Sequence, residues 1–325
     1  MDYQKLFKNK LDRRRLLGNL GMMGAGAVIT ACGGAAVGQP NPNPNPEPEP
    51  TTDLDPAILN FALNLEYLEA AFYLAAVGRI DEINTVGGDA EIILPEGFDG
   101  STSIEFTTPE IASYADEIAS DELAHVNFLR TALGASAADR PVLDLGPAFV
   151  AAATAAFPDV DPALTAQFNP FANELFFLHG AFIFEDVGVT AYSGAAPAIT
   201  DKTTVLAKAA GILAVESYHA GEIRTLLYAQ RETQTPFGVP VADVVAGISA
   251  LRASVGGGKD EGIVNEDGSA NIVPTDDDGI AFARTPREVA NIVFLAADAT
   301  TGGFFPEGLA FPADLVDDLN TLLGL

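Results

Sequence analysis

The sequence predicts an all-α protein: an antiparallel four-helix bundle carrying a small β-hairpin insertion and a helical or irregular C-terminal extension. Three observations point there. Four segments near 56–77, 109–133, 170–193 and 201–230, each about 20 to 30 residues long, are rich in Ala, Leu and Phe. Each opens at a residue able to cap a helix and stops at glycine or ahead of proline. Hydrophobic residues make up 48 % of the 325, enough to fill the core that four such helices enclose.

In chain order, residues 1–31 read as an export signal. Six bases (Lys5, Lys8, Lys10, Arg13, Arg14, Arg15) precede LLGNLGMMGAGAVITA, an apolar run too short and too rich in glycine for a stable membrane span. Arg13-Arg14-Arg15-Leu16-Leu17 resembles a twin-arginine signal, with Asp12 where Ser or Thr is usual. Ile29-Thr30-Ala31-Cys32 resembles a bacterial lipobox, which implies cleavage before Cys32 and lipidation of its thiol. Residues 32–52 follow as a tether, because proline alternating with Asn or Glu over 40–50 forms neither helix nor sheet and stays extended. The folded body is expected from about Asp53.

The net charge is -28, and one cysteine excludes an intrachain disulfide scaffold. Beyond the signal the imbalance is greater, since 43 of the 45 acids but only 11 of the 17 bases lie from Cys32 onward. Such a surface repels phosphate backbones and anionic headgroups, so no nucleic-acid partner is expected and the membrane is met only through the lipid. Most of the acidity serves solubility.

The bundle is expected over 53–230. Asp55-Pro56, Thr108-Pro109 and Asn169-Pro170 each set a capping side chain before a proline, Asp201 caps the fourth segment, and Gly78, Gly134, Gly194 and Pro236 mark the stops. Within 79–107, EIILPEGFDGSTSIEF has two β-like runs around a Gly/Asp turn and reads as the hairpin. Residues 135–168 form a long link with one or two short helices. The extension, 231–325, holds helical stretches near 239–254, 286–298 and 312–323, and its Asp276-Asp277-Asp278-Gly279 lacks the calcium-loop pattern.

Two of the three histidines have a glutamate three residues earlier: Glu122-Leu123-Ala124-His125 and Glu216-Ser217-Tyr218-His219. Glutamate is about 6 % of the chain, so two such hits would arise in about 1 % of shuffled sequences. Position adds weight, because the pairs lie midway along the second and fourth helices. Spacing of i, i+3 sets a carboxylate and an imidazole on one helix face, able to meet on one cation. A di-metal bundle needs two such helices and one further acid from each of the others. Glu66 and Glu69 are available on the first helix and Glu185 on the third, all within apolar sequence where an unneutralised carboxylate is costly. The halves also echo each other, since Tyr73 follows Glu66, and Tyr192 follows Glu185, by seven residues.

The order Glu, Glu-x-x-His, Glu, Glu-x-x-His resembles ferritin-like carboxylate proteins such as bacterioferritins and rubrerythrins. LNLEYLEAAFY, ASDELAHVNFLRTALG and RTPREVANIV more narrowly resemble the desiccation-related ferritin-like proteins of plants and bacteria. The resemblance covers about 53–325 and implies a ferritin-like fold. In bacterioferritins and rubrerythrins tyrosine follows the first ligand glutamate by seven residues, so the resemblance favours Glu66 over Glu69 as the ligand. The implied metal ligands are Glu66, Glu122, His125, Glu185, Glu216 and His219, with Glu122 and Glu216 bridging two Fe or Mn ions. Glu69 and Glu222, one turn from ligands, are expected to support them or to lie at the surface, with a third-site ligand as the alternative for one of them. Tyr73 and Tyr192 are expected to stand behind the ligands, packed on the inner stripe with satisfied hydroxyls. His179, without the matching acid, reads as a core histidine, and Phe171, Phe176, Phe177, Phe182 and Phe184 as core or subunit contacts.

The expected function is that of an exported periplasmic or cell-envelope lipoprotein whose di-iron or di-manganese centre acts on ferrous iron, oxygen or peroxide in redox or stress protection. The alternative is a non-enzymatic desiccation or envelope-protective protein with a degenerate or structural metal site. Tether, insertion and extension crowd a closed storage shell, so a monomer or homodimer is expected.

Overall fold

The structure is a computed structural model that describes residues 53–325. The export signal, Cys32 and the tether lie outside the described residues. Ten α-helices occur among these residues: α1 Asp55–Ala76, α2 Asp81–Asn84, α3 Pro109–Leu133, α4 Pro147–Ala156, α5 Pro162–Thr165, α6 Glu174–Ala195, α7 Val205–Ala229, α8 Val241–Val255, α9 Pro286–Val293 and α10 Val316–Leu323. The long ones, α1, α3, α6 and α7, make the bundle, packed as two helical hairpins, α1 on α3 and α6 on α7. By length and composition α6 with its following turn could cross a membrane, but 83 % of its most apolar 18 residues are buried in the protein.

The capping residues mark the helices yet bond elsewhere. Asp55 begins α1 and accepts hydrogen bonds from Thr200 N (2.6 Å) and Asp201 N (2.9 Å), joining the start of α1 to the turn before α7. Thr108 precedes α3, but its hydroxyl donates to Glu174 Oε1 (2.8 Å) and its N–H to Glu174 Oε2 (2.8 Å), at the start of α6. A carboxylate shared between two helix N-termini is favourably placed for both macrodipoles.

Two expected starts move inward. Asn169 closes a turn by accepting from Phe171 N, and α6 starts four residues beyond Pro170, capped by Asn173, which accepts from Phe176 N at 2.9 Å. Asp201 likewise accepts from Thr203 N and Thr204 N ahead of α7. Gly194 is no stop, because α6 continues to Ala195. A Cβ at Gly194 would strike the backbone carbonyl of Arg284, so this glycine admits the extension instead.

The expected hairpin within 79–107 does not form. Ile92–Ile93 (β1) pairs in parallel with Leu143–Asp144 (β2) beyond α3, in register Ile92↔Leu143 and Ile93↔Asp144. Pro95 follows the first run and cannot donate to a ladder. The second run returns to the end of α1, where Ile104 N donates to Ala76 O (2.9 Å) and Ser103 bridges Val77. Each run thus clasps a different neighbour.

Phenylalanines fill the space between the hairpins and the extension. Phe72 of α1 stacks on Phe177 of α6 with centroids 5.5 Å apart, and Phe304 of the extension lies 5.0 Å from both Phe149 and Phe184. Such pairs contribute about 0.5–1.5 kcal/mol each beyond area burial. The Phe-rich face of α6 is therefore core.

Three arginines complete the join. Asp186 on α6 accepts from Arg224 of α7 and Arg252 of α8, both at 2.8 Å, while Asp260 accepts from Arg252 (2.8 Å) and Arg284 (2.7 Å). Arg252 also donates to Phe182 O at 2.5 Å. Asn64 of α1 holds the last part of the extension by exchanging hydrogen bonds with Ala310 N and O. All three guanidinium groups are buried, so removing one partner leaves an uncompensated charge. Asp186→Ala is expected to cost about 3–5 kcal/mol, measurable as a lowered midpoint in urea unfolding.

Candidate metal centre

The bundle brings the six sequence-derived candidates together at one depth. Glu66 projects from α1, Glu122 and His125 from α3, Glu185 from α6, and Glu216 and His219 from α7, and all six are buried. Their donor atoms form two overlapping groups: Glu66, Glu122, His125 and Glu216, and Glu122, Glu185 and His219, with atoms within 4.8 Å of one another in each. Glu122 belongs to both groups and Glu216 to the first. Both imidazoles turn Nδ1 inward. His125 Nδ1 lies 3.1 Å from Glu66 Oε2, 3.5 Å from Glu122 Oε2 and 3.7 Å from Glu216 Oε1. His219 Nδ1 lies 3.0 Å from Glu122 Oε1 and 3.6 Å from Glu185 Oε2.

Of these approaches only that of His125 Nδ1 to Glu66 Oε2 is a hydrogen bond. Glu122 Oε1 and Oε2, Glu216 Oε1 and Oε2, Glu185 Oε2 and His219 Nδ1 are buried with no hydrogen-bond partner, so even the 3.0 Å approach of His219 to Glu122 is not aligned for a hydrogen bond. Such orphaned atoms are costly in a core unless something else satisfies them. They converge, and oxygen and imidazole donors without thiolate suit iron or manganese. The residues therefore fit such ions.

The tyrosines join the halves reciprocally. The Tyr73 hydroxyl of α1 donates to Glu185 Oε1 of α6, and the Tyr192 hydroxyl of α6 donates to Glu66 Oε1 of α1. Each occupies one carboxylate oxygen and leaves the other facing the cluster. Sequence spacing indicated paired stripes, but the crossing became visible only with α1 and α6 antiparallel.

Of the remaining candidates, Glu69 is buried beside the cluster and Glu222 is half-buried outside it, near Glu117. His179 is buried elsewhere in α6 with Nδ1 2.7 Å from Leu175 O, and burial pushes its pKa down to about 4. Two contributors stand outside the Glu-x-x-His motifs. Asp121 Oδ2 faces His219 Nε2 at 3.3 Å and can orient that ring, although nothing but adjacency to Glu122 marks it. Gly188 could have been found by aligning the halves, since it follows Glu185 as Glu69 follows Glu66.

Protons balance the charge in the metal-free protein. Burial and the Glu122 charge raise Glu66 to about 7, with His125 pulling the other way. Burial and neighbouring carboxylates, Glu122 first, hold Glu69 and Glu216 well above the usual range, and burial also raises Glu185. For Glu122 burial is outweighed by His125 and His219, which hold it at about 2. Burial opposes charge on His125, but Glu66 and Glu122 lift it to about 11, and Glu185 and Glu122 lift His219 further.

A four-helix bundle with a buried carboxylate–imidazole cluster defines the class: a helical protein built around a candidate cation centre. The chain belongs to the ferritin-like family, for the model described as "Ferritin-like domain" matches residues 54–229. It is similar to the desiccation-related protein PCC13-62 of Craterostigma plantagineum, 33 % identical over 271 residues, covering 78 % of this chain and 82 % of that protein. It is also similar to the ferritin-like catalase Nec2 of Nesocodon mauritianus, 28 % identical over 270 residues, covering 79 % and 83 %. No solved structure matches at the same level of significance.

These shifts set the pH response. Glu66, Glu69, Glu185 and Glu216 bind protons more tightly folded than unfolded, so their contribution to the metal-free fold is lost as pH rises above about 4.5. The raised histidines act in the same direction above about 6.5. Glu122, held low, changes only between about 2 and 4.5. Thermal unfolding of chelator-treated protein should thus move to lower temperature between pH 5 and pH 8. Metal must displace the same protons, so loading should release protons and tighten with pH, as measured by calorimetry in buffers of different ionisation enthalpy.

Proposed function

We propose that this chain binds two Fe or Mn ions in the cluster and removes peroxide in stress protection, as an exported cell-envelope lipoprotein anchored through Cys32. The observation that carries the reading is the set of orphaned, convergent donor atoms on Glu122, Glu185, Glu216 and His219. Two such ions, once bound, would supply two-electron chemistry suited to converting two molecules of hydrogen peroxide into dioxygen and water. The printed name of Nec2, a ferritin-like catalase, supports that substrate class. The first coordination candidates remain Glu66, Glu122, His125, Glu185, Glu216 and His219.

The chain's own residues hold, orient and exclude. Glu122 offers one oxygen to each donor group, joining them. Tyr73 and Tyr192 fix the outer carboxylates, and both hydroxyls keep their protons, because burial and the adjacent Glu185 and Glu66 raise them well above the usual range. Asp121 fixes the His219 ring through Nε2. Apolar helices around the cluster keep bulk water from competing for its donors.

A second reading, a protective protein without turnover, draws on the name of the desiccation-related relative and on the net charge of -28. One experiment separates them. Purified protein reconstituted with Fe(II) or Mn(II) should hold about two ions per chain by elemental analysis and evolve oxygen from hydrogen peroxide in proportion to metal content. The Glu122→Ala/Glu216→Ala double variant should lose both. Equal metal in variant and wild type would show that the site is misplaced, and full loading with no peroxide consumption would favour the protective reading.

A further inference from the structure

Glu69 is the one buried acid beside the cluster that the six-residue donor set leaves out. It lies three residues beyond Glu66 on the same face of α1 and is buried, with no hydrogen bond or ion pair among the described residues. The walls around it are apolar: Leu65 and Leu68 of α1, Phe184 and Val187 of α6, and Ile292 and Phe304 of the extension. The extension thus covers this side of the bundle without offering Glu69 a partner. A carboxyl group so nearly buried, and with no hydrogen-bond partner, is costly unless it has a use on its other side.

That side is Gly188. A Cβ built there would overlap Glu216 Oε2 and would stand 3.4 Å from Glu69 Oε1, so the missing side chain lets the two carboxylates converge over one spot. Comparing the halves sharpens the point. Gly188 follows Glu185 on α6 as Glu69 follows Glu66 on α1, so one half supplies a carboxylate and the other the room for it. The centre is therefore unsymmetrical, with an added acid on the side of Glu216, a member of the first donor group.

We propose that Glu69 is a seventh protein ligand of the metal centre, reaching an ion beside Glu216 through the space that Gly188 leaves open. This rests on the metal-binding reading above. Glu69 faces apolar residues on its other sides, and its nearest polar company is the donor cluster.

The test compares full-length wild type with Glu69→Gln and Glu69→Asp. Dissociation constants for Mn(II) and for Fe(II), each alone, are measured by competition with a chelator. Melting temperatures are recorded with and without metal. Both variants are expected to weaken at least one ion by about tenfold or more, Gln by removing the charge and Asp by shortening the reach. Glu69→Gln should also raise the melting temperature of metal-free protein and lower that of loaded protein, an inversion that a packing residue would not produce. Wild-type affinity in Glu69→Gln overturns the assignment. Wild-type affinity in Glu69→Asp alone does so too, because charge without reach would then suffice. Wild-type protein that binds neither ion overturns both this assignment and the reading beneath it, whereas normal wild-type loading with unaltered variants overturns only the assignment. If Gln prevents folding, the Asp comparison decides.

Discussion

Five carboxyl groups sit at nearly one depth inside an apolar helix bundle, and their mutual repulsion is the constraint from which the rest of the structure follows. At such depth a carboxylate is tolerable only when positive charge or a proton accompanies it. The metal-free protein uses protons: Glu122 carries charge because two imidazoles face it, while Glu69 and Glu216 stay neutral. Divalent ions would replace those protons and would also satisfy the atoms that have no partner. The fold thus holds a site whose charge balance is completed from outside.

Keeping this arrangement requires rigid surroundings, and two layers supply them. The crossed Tyr73–Glu185 and Tyr192–Glu66 hydrogen bonds join the helical hairpins at the level of the cluster. Farther out, Asp186 is the residue after Glu185 and receives Arg224 from α7 and Arg252 from α8, so the extension braces α6 beside the site. Few cations remain on the folded body, and the three most deeply buried arginines serve this brace rather than the surface. Much of the surface acidity is consequently unopposed.

How much could be read from the sequence depended on how local the signal was. Glu122 and His125, and Glu216 and His219, are i, i+3 pairs, and helical geometry alone sets them on common faces. Helix punctuation such as Gly134 and Gln230 also acts locally, and those ends fall where expected. The failures are non-local. Asp55 and Thr108 look like caps but bond across to other helices, and Ile92-Ile93 looks like a hairpin arm but pairs beyond α3. Gly194 looks like a stop and is a passage for Arg284. Asp121 and Gly188 matter only because antiparallel packing sets them against His219 and Glu216, which no single-segment pattern contains.

The most direct measurement is X-ray diffraction from crystals grown with Mn(II) or Fe(II), with data collected on both sides of the metal absorption edge. Two anomalous peaks about 3.5–4 Å apart are expected inside the bundle, one beside Glu66, His125 and Glu216, the other beside Glu185 and His219, with Glu122 between them. Absence of any peak there, or peaks confined to surface acids, would contradict the claim that buried carboxylates in this protein are balanced by metal.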